Sequence, residues 1–241
     1  MGNNHLDVYK KAYQNTFEYD LDNRLVLSWY PERIIKKAAG ESLLELGLGH
    51  GYSSIAFAQK YKRHLVIEGS QDIIDEFNRK NSHKVNIVKA YFEDFSSDEK
   101  FDIIVMGFIL EHVENADLIL AKYKQFLSPH GTIFIAAPNS EALNKRIGFE
   151  AGIITDMSAL SEGDKALGHK RLFTVDSLKK LVKSNGYTVK ETEGIFLKPV
   201  TTKQICQLNL SENVLQAMLK VGINYPELCV GILMRIEADK I

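Results

Sequence analysis

The chain has 241 residues, with 30 Lys and Arg against 31 Asp and Glu, a formal charge of −1. That length fits one large domain or one domain with an appendage, and 45% hydrophobic with 25% charged residues is ordinary for a globular core. The near-neutral balance excludes the basic stripe of a nucleic-acid binder, and no apolar run is long enough to span a bilayer.

The start, "MGNNHLDVYKK", is polar and has no apolar signal stretch. Cys206 and Cys229 lack metal-ligand spacing and read as ordinary thiols of a reducing compartment. These features lead us to expect a cytoplasmic protein with no metal and no nucleic-acid or membrane partner.

In chain order, Tyr9, Tyr13 and Phe17 recur at helical spacing, and the stretch through Gly40 reads as a second helix starting at Pro31. Strands are expected at 42–46, 64–69, 85–90, 101–107 and 131–138. Several are continuous Ile- and Val-rich runs, as in parallel strands covered on both faces. Helical stretches lie between them, "YSSIAFAQKY", "SQDIIDEFNRK" and "NADLILAKYKQFLS". The alternation predicts a doubly wound α/β sheet. Residues 139–174 are irregular, with a helix near 140–148. A helix at 175–187 and two strands, "TVKETEGIFL" and "ELCVGILMRIEA", follow. A largely helical segment, 199–226, separates those strands.

The most informative stretch is "ELGLGHG", between the first strand and a helix. Gly47, Gly49 and Gly51 let the chain turn tightly and let a ligand touch the main chain. The helix start beyond them favours negative groups. A triphosphate loop needs Gly-Lys-Ser/Thr, but Tyr52 follows Gly51. A dinucleotide fingerprint needs G-x-G-x-x-G, and here the third glycine falls one place early.

With Glu45 before it, the segment resembles the acidic G-x-G-x-G motif of class I methyltransferases that use S-adenosylmethionine (SAM). The rest of the chain agrees. Glu68 ends the second strand, where a carboxylate can accept from a ribose diol. "YFEDF" follows the third strand, and "VMGFILEHVEN" resembles the "EHV" segment of the quinone-biosynthesis O-methyltransferase group. "FLSPHGTIFIAAPN" resembles the family's L-x-P-G-G turn, with His130 in place of the first Gly.

The resemblance implies a mostly parallel, seven-stranded Rossmann-like sheet, its last strand antiparallel. Residues 1–40 form a helical cap on a domain spanning 41–241, and the 139–174 and 199–226 insertions cover the substrate. It implies SAM as cofactor, S-adenosylhomocysteine as product, and methyl transfer to O or N of a small metabolite by a monomer or homodimer.

The implied cofactor contacts are Tyr13, Glu45, Gly47, Gly49, Gly51, Glu68, Gly69, Ser70, Phe92, Glu93, Gly107 and Phe108. His112 and His169 are the candidate catalytic groups. His169, Lys170 and Arg171, with Lys198, Tyr19 and Trp29, are the candidate acceptor contacts; a cationic cluster beside a methyl donor suits a carboxylate or phosphate. The alternatives are a nicotinamide-dependent oxidoreductase and a non-catalytic SAM-binding accessory protein.

Overall fold

The structure is a computed structural model that describes residues 20–239. The first helix, α1 (Asp20–Lys37), leads into β1 (Ser42–Leu46), α2 (Tyr52–Lys60), β2 (Arg63–Glu68), α3 (Gln71–Lys80) and β3 (Ile87–Lys89). Next come β4 (Phe101–Gly107), α4 (Ala116–Tyr123) and β5 (Leu127–Pro138). The insertion carries α5 (Leu143–Glu150) and α6 (Glu162–Ala166). The chain ends with α7 (Val175–Ser184), β6 (Tyr187–Ile195), α8 (Thr202–Gln207), α9 (Glu212–Gly222) and β7 (Gly231–Ala238).

The strands form one seven-stranded sheet in the order β3-β2-β1-β4-β5-β7-β6. Neighbours from β3 to β5 are parallel, and β7 runs antiparallel to both β5 and β6. The chain starts at β1, winds outward to β3, then crosses back to β4. That reversal opens a crevice at the carboxyl ends of β1 and β4, where sheets of this kind bind ligands.

Strand alternation explains why both faces are apolar. Leu44, Leu46, Ile104 and Met106 enter one core cluster with Leu120 and Tyr123 of α4. Leu43, Ile103 and Val105 enter the other, against Tyr30 and Ile34 of α1 and Phe57 of α2.

Two expectations need correction. Pro31 does not start a helix; it lies inside α1. Pro inside a helix costs roughly 3 kcal/mol through a lost bond and a clash. The burial of Leu25, Val26, Trp29, Tyr30 and Ile34 along the same helix offsets that cost. The fifth strand starts at Leu127 rather than 131. The 127–131 turn is absorbed as a register shift between the Phe101–Leu127 and Ile103–Thr132 pairs.

Candidate active site

The site starts with the turn after β1. Gly47 donates its N–H to the Ile67 carbonyl at 2.8 Å, and Gly51 donates to Leu48 O at 2.8 Å. Gly47 and Gly51 have φ of 84° and 80°, where side chains are strained. A Cβ on Gly51 would lie 2.4 Å from the Phe77 ring, so the turn also needs glycine for space. No side chain caps the start of α2, which follows directly.

Glu68 fixes this turn from the neighbouring strand. Its Oε2 accepts from Leu48 N at 3.0 Å and its Oε1 from Ser70 N at 2.8 Å. Glu45 acts from beneath. It is 1% exposed, accepts from Ser53 Oγ at 2.5 Å, and lies 2.9 Å from His64 Nε2. It does not reach the cavity itself; Ser53 does.

A cavity of about 440 Å³ runs from this turn across the end of β4 to the insertion. Gly47, Gly49, Gly51, Glu68 and Phe92 line one end. Gly107, Phe108, His112, His169, Lys170 and Lys198 line the rest. Asp22, Val26 and Tyr30 of α1 form a wall. Phe108 has φ 56°, unusual for a bulky residue. Its N–H donates to Ala136 O at 2.8 Å, and its ring meets Tyr30 edge-on at 5.7 Å.

The remaining candidates lie elsewhere. Ser70 accepts from Ile73 N at 3.3 Å to cap α3, and neither it nor Gly69 lines the cavity. Glu93 is exposed, off the cavity wall, and uses its carbonyl to accept from Lys122 Nζ. Ile73, one turn into α3, lines the cavity instead. Trp29 is packed in the core beneath α1. Tyr13 and Tyr19 lie outside the described residues.

The expected cationic cluster has partners within the fold. Arg171 donates Nη1 to the Leu110 and Val113 carbonyls at 2.6 Å each and Nη2 to Glu114 O at 2.8 Å. Lys170 pairs with the Glu114 carboxylate. Lys198, 4% exposed in its side chain, pairs with Asp22 and donates to Thr202 Oγ1 at 2.8 Å. These cations are engaged within the fold around the cavity, which Lys170 and Lys198 also line.

Two acids that the sequence reading missed stand there instead. Glu111 is 1% exposed and lines the cavity, and among the described residues neither carboxylate oxygen has a hydrogen-bond partner. Burial pushes its carboxyl up to about 8, and its own amide and the Arg171 charge offset only part of that. Asp164 Oδ1 lies 3.0 Å from His169 Nδ1. Burial pushes Asp164 up, but hydrogen bonds from His169 and Ser161 outweigh it and hold the carboxyl well below its usual range. This contact fixes the ring of His169 through Nδ1 and leaves Nε2 as its other polar atom.

The His112 and His169 rings meet edge-on at 4.9 Å. Burial, followed by the nearby His169, pushes His112 down to about 4, so it is uncharged at neutral pH. The single acid in "GFILEHV" was a usable signal for Glu111. Asp164 was hidden as the fourth residue of the Ser161-x-x-Asp164 capping box.

A family described as a methyltransferase domain matches residues 19–192. (S)-coclaurine N-methyltransferase of Thalictrum flavum subsp. glaucum is 29% identical over 116 residues, 46% of this chain and 32% of that protein. The match therefore spans about a third of that plant relative's length. Ubiquinone biosynthesis O-methyltransferase of Rickettsia conorii is 23% identical over 122 residues, 49% of this chain and 42% of the relative.

Among solved structures, a SAM-dependent methyltransferase of Thermotoga maritima, described as a possible histamine N-methyltransferase, superposes with a TM-score of 0.66. It covers 98% of this chain and 100% of its own at 15% identity, a likeness of fold. No helix among the described residues is long and apolar enough to cross a membrane. A turn of three glycines held by a strand-end glutamate at the sheet's reversal point, together with the match over most of the chain, places this protein in the methyltransferase-domain family, whose methyl donor is SAM.

Proposed function

We propose that the chain transfers the methyl group of SAM to O or N of a small molecule, without nucleic acid, membrane or metal-borne donor. The observation that carries this reading is Glu68. Its carboxylate joins the glycine turn to the start of α3 and lines a cavity that continues to two imidazoles.

In this reading the main chain at Gly47 and Gly49 meets the amino-acid tail of SAM, and Glu68 accepts from the ribose hydroxyls. Phe92, with Ile73, flanks the adenine. Gly107 and Phe108 pass beside the sulfonium. The sulfonium already activates the methyl, so the protein supplies no nucleophile. Holding donor and acceptor in line can contribute roughly 7–11 kcal/mol. His112 and His169 are the catalytic residues, with imidazole lone pairs that take the acceptor's proton or hold the group that has lost it. Glu45 and Asp164 are positioning residues. Cys206 and Cys229 are both free thiols, which suits a cytoplasmic setting, as a monomer or homodimer.

The test is calorimetry with S-adenosylhomocysteine. Binding is expected, and Glu68→Ala weakens it by about 1–3 kcal/mol, roughly 5-fold to 150-fold. Thermal stabilisation by NAD(H), with none by S-adenosylhomocysteine, overturns the reading in favour of an oxidoreductase. Donor binding with no acceptor turned over favours an accessory role.

A further inference from the structure

At the acceptor end, Glu111, His112 and His169 each offer one ligand-type atom, and these atoms lie within 4.8 Å of one another. Two residues come from the turn after β4 and the third from the loop after α6, so tertiary structure assembles the group. Glu111 is buried, and among the described residues neither of its oxygens has a hydrogen-bond partner. Such a carboxylate is costly unless a cation faces it. Of the cations near it, Arg171 spends its donors on three carbonyls, so that only its charge reaches Glu111, and Lys170 pairs with Glu114.

His169 is turned by Asp164 through Nδ1, the carboxylate–imidazole relation found behind metal-bound histidines. Asp164 is itself fixed, its Oδ2 accepting from Ser161 N at 2.9 Å and from Ser161 Oγ at 2.5 Å.

We propose that Glu111, His112 and His169 form a seat for one divalent cation of the zinc or manganese class. Two imidazoles and a carboxylate suit a transition ion better than magnesium or calcium, which take oxygen ligands. Bond lengths of about 2.0–2.2 Å require the three atoms to close in by about an ångström. Three protein ligands leave coordination positions open. Glu111, His112 and His169 all line the cavity that also holds Gly107 and Phe108, so an acceptor oxygen can occupy one of those positions.

An acceptor hydroxyl bound there loses its proton to water, its oxygen attacks the methyl, and the carbon–sulfur bond breaks to leave the thioether. The imidazoles then act as ligands rather than bases. Only this consequence rests on the methyl-transfer reading; the seat itself does not.

The test uses chelator-stripped full-length protein titrated with Zn²⁺ and Mn²⁺ by calorimetry, and with Co²⁺ followed by its visible absorption. One ion per chain is expected, with the band of nitrogen-ligated cobalt. Glu111→Gln and His169→Gln each weaken the ion at least tenfold, and Asp164→Asn weakens it about 10- to 100-fold. S-adenosylhomocysteine affinity on the same samples reports that the fold is intact. Should Glu111→Gln fail to fold, His169→Gln carries the test. Ion affinity unchanged in the folded variants, or no ion bound by wild-type protein that still binds S-adenosylhomocysteine, overturns the seat. Loss of S-adenosylhomocysteine binding with the ion retained counts against the methyl-transfer reading alone.

Discussion

At the glycine-turn end of the cavity the walls are largely main chain, supplied by one strand-to-helix turn and held by Glu68 from the adjacent strand. At the other end they are side chains collected from distant segments. Arg171 reaches back 58 residues to Val113, and His169 meets His112 across a similar gap. A main-chain site depends on conformations that few residues can adopt. A side-chain site depends on which charges happen to be paired. The first kind tolerates little substitution; the second can be retuned one residue at a time.

Three substitutions break or sharpen that contrast. The largest effect is expected from Gly51→Val. The branched side chain meets both a φ of 80° and the Phe77 ring 2.4 Å from its Cβ. Urea unfolding should show a loss of about 2–4 kcal/mol, drawn from strain and overpacking, with S-adenosylhomocysteine binding lost in parallel. Retained donor affinity would show that the turn is less exacting than its geometry implies.

Arg171→Met should come next. It leaves the carbonyls of Leu110, Val113 and Glu114 without their donor, a cost of about 1–3 kcal/mol. Turnover of an identified acceptor should fall at least tenfold while donor affinity changes less than threefold. Equal losses in both would erase the distinction between the two ends.

The smallest effect belongs to a control remote from the cavity. Asp102 accepts from Glu41 N, from the amide and hydroxyl of Ser42, and from Ser128 Oγ. Burial pushes its carboxyl up, yet these bonds outweigh burial and leave it below the usual range. A depressed folded value means that the stabilisation is complete above the unfolded value near 4 and fades as pH falls through the folded one. Asp102→Asn should therefore cost about 1 kcal/mol at pH 7, and the gap to wild type should narrow below about pH 4 in chemical denaturation.

What could be read from the sequence follows the same division. The strands announced themselves as apolar runs, and β1 and β4 match their expected bounds. The glycine turn was legible because spacing fixes backbone geometry. The partners of Lys170, Arg171 and Lys198 were not legible, because Glu114, Asp22 and three carbonyls meet them only in the folded chain. Trp29 was a candidate acceptor contact, but the face of α1 that carries it packs into the core. Pro31 deceived for a related reason: local propensity yields to the burial of a whole helix face.

The Arg171 clamp grips carbonyl oxygens, and every amino acid has one. The grip itself is therefore indifferent to which side chains the turn carries, while Leu110 and Val113 are held to apolar residues by their place in the core. Of the three gripped residues only Glu114, which is exposed, is left open to change by both demands.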